Sequence, residues 1–135
     1  MEVYKKSKTG FEIWHIGFCV LTVGACFLPN LSTQLTLAVV DNACTIGIFI
    51  LTFLIYQTEY VYWYNGTSYE EAKAAGSERR KAFALAHMKR FGYLALIFLA
   101  YSVVSLMVGI PYGFDVAIAC AGILIVALST LKIKL

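Results

Sequence analysis

Four apolar stretches alternate with polar segments along the chain, and each approaches the length of a membrane-spanning helix. They cover residues 11–28, 35–56, 91–110 and 114–131. Because a bilayer core about 30 Å thick is crossed by roughly 20 apolar helical residues, the pattern predicts an all-α integral membrane protein. Its four transmembrane helices would form a single domain over residues 1–135.

Two turn signals divide the four stretches into pairs. Pro29 and Asn30 follow the first stretch, and Pro111 and Gly113 follow the third; proline and glycine commonly end helices. The connections of about six and about three residues are short enough to require antiparallel neighbours. We therefore predict two antiparallel hairpins, joined by a polar central segment of residues 57–90.

The distribution of basic residues predicts how these hairpins lie in the membrane, because Lys and Arg accumulate in cytoplasmic segments. All 11 lie before the first helix, in the central segment or after the fourth helix: Lys5, Lys6, Lys8, Lys73, Arg79, Arg80, Lys81, Lys89, Arg90, Lys132 and Lys134. None lies in either turn. We expect both termini and the central segment to be cytoplasmic, in a multi-pass protein of the cell membrane.

Composition excludes several classes of function. Hydrophobic residues make up 60% of the chain and charged residues 14%, against ~45–50% and ~25% in soluble domains. With a mean hydropathy of +0.74, these values exclude a soluble enzyme, a disordered chain and a nucleic-acid-binding module. The expected partners are the lipid bilayer and other membrane-protein chains, with no nucleic acid.

The central segment is predicted to be helical. Ser68 and Glu71 have the spacing of a capping box, in which a serine hydroxyl accepts the amide hydrogen three residues later. The short helix that follows would end at Gly76, which suits the left-handed position after a helix. Ser77 can then cap a second helix that continues into the third span.

Basic residues on that second helix form a candidate lipid-headgroup site. Phe83, Met88 and Phe91 would face lipid, while the basic side chains meet anionic headgroups, at about 1 kcal/mol for each charge. These side chains are Arg79, Arg80, Lys81, Lys89 and Arg90. A docking surface for a cytoplasmic protein is the alternative interpretation.

Polar and small residues recur at helical spacing within the spans, which places them on one face of each helix. In chain order the four faces carry Glu12, His15, Cys19, Thr22 and Cys26; Asp41, Thr45, Thr52 and Glu59; Ser102, Ser105 and Gly109; and Asp115, Ala119, Gly122 and Ser129. Such residues allow close packing where no hydrophobic effect operates between helices. We expect these faces to pack together and the aliphatic faces to meet lipid.

Asp41 fits this scheme least well. It lies about six residues below the outer end of the second span, roughly 9 Å deep, with no basic residue at that depth; an intramembrane acid marks a functional site by default. Asn42 adjoins it and Thr45 lies one turn away, so all three are candidate pathway or binding residues. Alternatively, Asp41 is protonated or hydrated, or it caps a helix that starts there, with residues 35–40 interfacial or re-entrant.

Glu12 and His15 complete the candidate pathway. They lie one turn apart at the inner end of the first helix, where they can pair. The four cysteines all lie inside spans, without the close spacing of metal or redox motifs, and no catalytic motif occurs. We therefore expect no metal, no cofactor and no catalytic residues.

Three classes of function remain. The first is a small non-enzymatic channel or carrier for an ion or small solute, with the acidic and polar residues along its path. Because four helices leave little room for an internal pathway, this interpretation implies a homo-oligomer. The second is an accessory, regulatory or immunity-type subunit that packs against a larger membrane protein, and the third is a lipid-modifying membrane enzyme.

Overall fold

The computed structural model describes residues 4–64 and 66–135. Within these residues the chain forms four α-helices and no strand, which confirms the predicted all-α class. The helices are α1 (Thr9–Ala25), α2 (Thr33–Thr58), α3 (Tyr69–Val108) and α4 (Tyr112–Thr130), with a 3₁₀ turn at Val61–Trp63 between α2 and α3. The expected cytoplasmic position of Met1, and of Asn65 in the central segment, lies outside the described residues.

Helices α2, α3 and α4 are long and apolar enough to cross a membrane. Helix α1 is also apolar but has 17 residues, which at 1.5 Å per residue gives a length of roughly 26 Å. It is shorter than the predicted stretch because the backbone turns at Cys26 and Phe27, whose amides bond to carbonyls three residues back. The structure therefore contains three clear candidate spans and one shorter apolar helix.

Helix α2 begins before Asp41, so residues 35–40 are helical and the re-entrant alternative is wrong. Ser32 has an extended backbone, and its hydroxyl accepts a hydrogen bond from the Leu35 amide at 3.2 Å. This is the arrangement of a serine N-cap, which satisfies one of the amides left free at a helix start. Asp41 consequently lies more than two turns inside α2.

The central segment is helical as predicted. Ser68 and Glu71 form the capping box, with the Glu71 carboxylate accepting from the Ser68 amide at 2.8 Å. Gly76 has φ 76° and ψ 162°, which interrupts α3, and the helix then continues without a break to Val108. Glycine is required at this position because side chains with a Cβ rarely adopt such a backbone conformation.

The other three helices all pack against α2. One face of α2 carries Ala43 and Gly47, both buried, and here α1 approaches closely. The opposite face carries Thr45, Thr52 and Ile55, which are almost fully buried. Ile55 lies in a hydrophobic cluster with side chains of α3. Two buried faces make α2 the central helix of the bundle.

The expectation that α1 packs through its polar face is wrong. Its contact with α2 is aromatic: Phe18 lies over Gly47, and the Trp14 indole donates a hydrogen bond to the Gly47 carbonyl at 3.0 Å. Glu12 and His15 are exposed on the outside of the bundle. An aromatic ring makes more van der Waals contacts in the groove above a glycine than a small polar side chain does. Dispersion therefore favours packing α1 on α2 through its aromatic face.

The bundle has two different ends. We call the end that carries the start of α1, the end of α2, the kink at Gly76 and the C-terminal residues the basic end. The opposite end, which carries the α1–α2 connection and the α3–α4 turn, is the turn end. Gln34 ties the two connections together there, because its side-chain amide donates to the Ile110 carbonyl at 3.0 Å.

The α1–α2 contact can be tested with a pair of matched glycine substitutions. A Cβ at Gly47 would lie 2.6 Å from the Phe18 ring, which stacks on Trp14 and has little freedom to move. We expect Gly47→Ala to lower stability by about 1–3 kcal/mol through overpacking. Gly17→Ala, which meets no atom within 4 Å, should instead be neutral or gain up to about 1 kcal/mol of helix propensity.

Melting temperatures of both purified variants in mild detergent provide the measurement. A Gly47→Ala protein as stable as Gly17→Ala would contradict the close approach of α1 to α2.

Candidate functional site

A group of polar side chains lies between α2, α3 and α4 toward the turn end. We call it the acid cluster, and it consists of Asp41, Asn42, Tyr101, Ser102, Ser105 and Asp115. Asp41 is 8% exposed and Asp115 3% exposed. Two acids at this burial, on helices apolar enough to cross a membrane, are costly unless their surroundings stabilise them.

Asp115 is well supplied with hydrogen-bond donors. Its Oδ1 accepts from the Ser105 hydroxyl at 2.6 Å and from the Tyr101 hydroxyl at 2.8 Å. Tyr101 and Ser105 lie one turn apart on α3 and therefore point at the same place on α4. Both bonds form inside the α3–α4 hairpin, so this hairpin stabilises its own acid.

Asp41 differs from Asp115 in lacking such donors. Its Oδ2 is buried and, among the described residues, has no hydrogen-bond partner; the same holds for Oδ1 of the neighbouring Asn42. The Asn42 amide donates to Ser102 Oγ and to the Ala38 carbonyl, both at 2.8 Å. Two buried oxygens thus remain free to accept, although an unsatisfied buried acceptor usually costs about 1–3 kcal/mol.

The two acids lie close enough for the charge of Asp115 to act on Asp41. The ion pairs in the part of the chain that the structure describes both belong to Glu59, at the other end of the bundle. The acid cluster therefore holds two carboxyl groups without a basic side chain. Chemically it can take up a proton or a small cation, which would supply the missing positive charge.

Only some of the pathway residues predicted from the sequence lie close together in the structure. Asp41 and Asn42 lie in the cluster, and Thr45 is buried one turn away, where its hydroxyl is used in a bond to the Asn42 carbonyl at 3.1 Å. Glu12 and His15 lie apart from it, exposed on α1 near the basic end.

Asp115 was not among the sequence-predicted site residues. It is an acid in the first turn of a predicted span, on the same face as Ala119, and it lacks the depth that singled out Asp41. The signal that could have found it is the pair of hydroxyl donors Tyr101 and Ser105, spaced four residues apart on the neighbouring helix. An acid opposite two hydroxyl donors is the feature that marks Asp115 as the second acid of the cluster.

Arg80, expected at the lipid headgroups, is instead buried at 5% exposure. Its Nη2 lies 2.8 Å from Glu59 Oε2 and its Nη1 donates to the Ala72 carbonyl at 3.2 Å. The guanidinium also stacks over the Tyr4 ring, 4.2 Å from its centroid. Each polar group of Arg80 that pairs here would lose its partner by turning outward, so Arg80 does not belong to the headgroup site.

Glu59 is the acceptor at the centre of this arrangement. Burial alone would raise the pKa of its carboxyl, but hydrogen bonds from Ser77 and Arg80 and the charge of Arg80 outweigh burial and lower the pKa. Its backbone has φ 59°, a conformation uncommon outside glycine. Ser77, expected to cap the second helix, donates its hydroxyl to Glu59 at 2.8 Å.

The other basic residues of the proposed headgroup site are exposed. Arg79 donates to the Leu135 backbone oxygen at 2.7 Å, and Arg90 donates to the carbonyl and hydroxyl oxygens of Ser129 on α4. Lys81 lies 3.4 Å from Glu59 but is solvent-accessible, and Lys89 is exposed.

The three apolar residues expected to face lipid from this helix are buried or half-buried instead. Phe83 and Phe91 are both 7% exposed, and Met88 is half-buried. Phe83 belongs to the cluster of Ile55 and Val61. For Phe83 the expectation is wrong because the end of α2 and the 3₁₀ turn cover it, and Phe91 instead lines a cavity beside the C-terminal residues.

A cavity of about 740 Å³ lies at the basic end between α3 and the C-terminal residues. Its wall includes Tyr64 and His87, whose rings stack with centroids 4.3 Å apart. Burial lowers the pKa of His87, which keeps the imidazole neutral at pH 7. Its charged lining consists of Arg79, Lys134 and Glu71, so basic side chains outnumber acidic ones.

Comparison with known proteins does not assign the chain to a family. No protein-family model matches it, and no curated protein or solved structure is significantly similar to it.

Two neighbouring arginines on α3 provide a matched test of the buried ion pair. Arg80→Met leaves the Glu59 carboxylate without its main partner, and we expect a loss of about 3–5 kcal/mol, as for other broken buried pairs. Arg79→Met removes an exposed side chain with one hydrogen bond and should cost no more than about 1.5 kcal/mol. Melting temperatures in detergent, with circular dichroism to verify helix content, distinguish the two. Equal losses would contradict the different roles assigned here.

Proposed function

We propose that the protein is a four-span protein of the cell membrane, with the basic end in the cytoplasm. The support is the location of every Lys and Arg in the segments that meet at that end, as expected if positive charge is retained on the cytoplasmic side. In this arrangement α1 crosses the membrane as well, in addition to the three longer helices. Its shortness is within the range that a bilayer accommodates by local thinning.

We further propose that it functions as a small channel or carrier for a cation, in oligomeric form, and that the acid cluster is the cation-binding site. The observation that carries this proposal is the buried, unbonded Oδ2 of Asp41 beside a second acid. In hydrocarbon surroundings, acids without a basic partner typically mark ion or proton pathways.

The two acids have different tasks in this mechanism. Asp115 is the anchored acid of the pair, because its Oδ1 already accepts hydrogen bonds from Tyr101 and Ser105. Asp41 and the Asn42 carbonyl offer free oxygens that a cation or proton can reach. A bound proton or monovalent cation offsets one negative charge of the pair, and its release restores that charge for the next binding event.

Hard, oxygen-seeking cations suit this donor set. Carboxylate and amide oxygens bind Na⁺, Ca²⁺ or a proton rather than soft metals, which select thiolate or imidazole. In the described part of the chain, no three His, Cys, Asp or Glu side chains converge on one point. The proposal is therefore confined to a proton or a weakly held cation, which a conduit must also release.

Substitution of the two acids tests the cation site. In proteoliposomes we expect Asp41→Asn and Asp115→Asn each to reduce cation or proton flux by about tenfold or more, because each removes one acid of an intramembrane pair. Glu78→Gln is the matched control, since it neutralises an exposed acid at the basic end and should leave flux unchanged.

Separate gradients of H⁺, Na⁺, K⁺ and Ca²⁺ identify the ion. An Asp41→Asn protein with a raised melting temperature and unchanged flux for every ion would contradict the proposal and favour the accessory-subunit interpretation.

Reporter fusions test the orientation independently. Fusions after Asn30, Ser77, Tyr112 and Leu135 should report outside, inside, outside and inside, because they follow successive crossings of a chain with its basic end in the cytoplasm. An outside signal at Ser77 would contradict the whole arrangement. Inside signals at both Asn30 and Ser77 would mean that α2 does not cross. Whether α1 crosses is read from an N-terminal tag, which should be inside if α1 spans the membrane and outside if it does not.

A further inference from the structure

We propose that the cavity at the basic end binds one molecule of an acidic phospholipid. The headgroup phosphate lies at Arg79 and Lys134, and an acyl chain follows the apolar wall that includes Phe83 and Phe91. The proposal rests on the membrane location argued above, and it does not depend on cation flux through the acid cluster.

The cavity lies where a candidate span ends. Ala127 and Thr130 in its wall belong to the last turn of α4. Because α4 is long and apolar enough to cross a membrane, its ends lie near the lipid headgroups. Basic pockets between spans at this level are typical binding sites for acidic phospholipid headgroups.

The kink at Gly76 shapes the cavity. Ala75 before the kink and Arg79 after it both line the cavity, together with residues 133–135. Small side chains such as Ala75 and Ala127 leave a volume of about 740 Å³, within the roughly 300–1,000 Å³ usual for sites that bind small organic ligands. The cavity therefore has the size of a ligand site.

Much of the cavity wall is apolar. Phe83 and Phe91 are each 7% exposed, and Leu131 and Ile133 add aliphatic surface. A soluble anion would leave this surface in contact with water, whereas an acyl chain covers it and gains the free energy of apolar burial. The wall therefore selects an amphiphile.

The charged side chains of the cavity favour an anion. Arg79, Lys134 and Glu71 are all exposed, but the Glu71 carboxylate is engaged in the capping box at Ser68. Lys134 has no ion pair within residues 4–64 and 66–135. Arg79 uses one of its N–H groups on the Leu135 oxygen and keeps others for a phosphate, which guanidinium and ammonium groups both bind.

Two further polar groups line the cavity with hydrogen-bonding capacity to spare. The Tyr64 hydroxyl is buried and has no hydrogen-bond partner in the described part of the chain. His87, 5% exposed, donates from Nδ1 to the Phe83 carbonyl at 2.9 Å, which leaves Nε2 of the neutral ring as an acceptor. Ester and phosphate oxygens of a lipid can accept from Tyr64, and a headgroup hydroxyl can donate to His87.

Lipid binding to the purified full-length protein tests the proposal. In native mass spectrometry from an uncharged detergent, we expect phosphatidylglycerol to bind about fivefold or more tightly than phosphatidylcholine with the same acyl chains, because basic side chains attract acidic headgroups. Lys134→Gln should remove most of this preference. Lys132→Gln, which neutralises an exposed lysine outside the cavity, should retain it. Equal effects of the two substitutions would overturn the proposal, because net charge alone would then explain the preference.

A second test fills the cavity without changing its charge. Ala127→Leu should weaken phosphatidylglycerol binding several-fold, whereas Ala121→Leu, at an exposed position of the same helix, should not. Tyr64→Phe should also weaken binding, while the melting temperature without lipid stays constant or rises, because the substitution removes an unpartnered buried hydroxyl. Unchanged binding by both Ala127→Leu and Tyr64→Phe would place the lipid elsewhere and overturn the proposal.

Two controls identify the ligand and separate the two sites. Glycerol 3-phosphate is a phosphate ester without acyl chains and should not displace phosphatidylglycerol; displacement at equal concentration would make a soluble phosphate ester the ligand and overturn the lipid assignment. Asp41→Asn should bind phosphatidylglycerol like the unsubstituted protein. Lipid binding that persists in a variant without cation flux would support this site independently of the acid cluster.

Discussion

The close packing of α2 against the other helices is the interaction on which the structure depends. Between apolar helices in lipid there is little hydrophobic driving force, so association relies on close approach and on polar contacts. Helix α2 meets both requirements, with Gly47 opening one face to the Phe18 ring and Thr45, Thr52 and Ile55 buried on the other. A larger side chain at Gly47 would separate α1 from the remaining bundle.

Polar contacts join α2 to α3 near both ends of the helix pair. Toward the turn end, Asn42 bonds to Ser102, and at the basic end Glu59 pairs with Arg80. The two contacts differ in completeness: Glu59 and Arg80 satisfy each other, whereas Asp41, beside Asn42, keeps an unbonded oxygen. A buried ion pair whose hydrogen bonds are all formed stabilises the structure. A buried polar group that lacks a hydrogen-bond partner is where ligand binding is expected.

Local sequence signals predicted much of the fold. The capping box at Ser68 and the interruption of the helix at Gly76, where φ is positive, depend on neighbouring residues alone and were confirmed. Arg79 and Arg80 are neighbours of the same residue type, so the sequence does not distinguish them. The rotation of α3 relative to the end of α2 determines that Arg80 is the buried one. Asp115 was missed for the same reason, since its donors lie on another helix. The rotation and register of one helix against another depend on contacts between distant parts of the chain, and the periodicity of a single helix does not predict them.

The hydrogen bonds of the two acids also imply an order of assembly. Asp115 receives its donors from the adjacent helix of its own hairpin, so the α3–α4 pair satisfies this acid as soon as the hairpin closes. Asn42 meets Ser102 only when the two hairpins dock, and Asp41 beside it has no donor in its own pair. The α1–α2 hairpin, although synthesised first, therefore completes its polar contacts only after the second hairpin has formed.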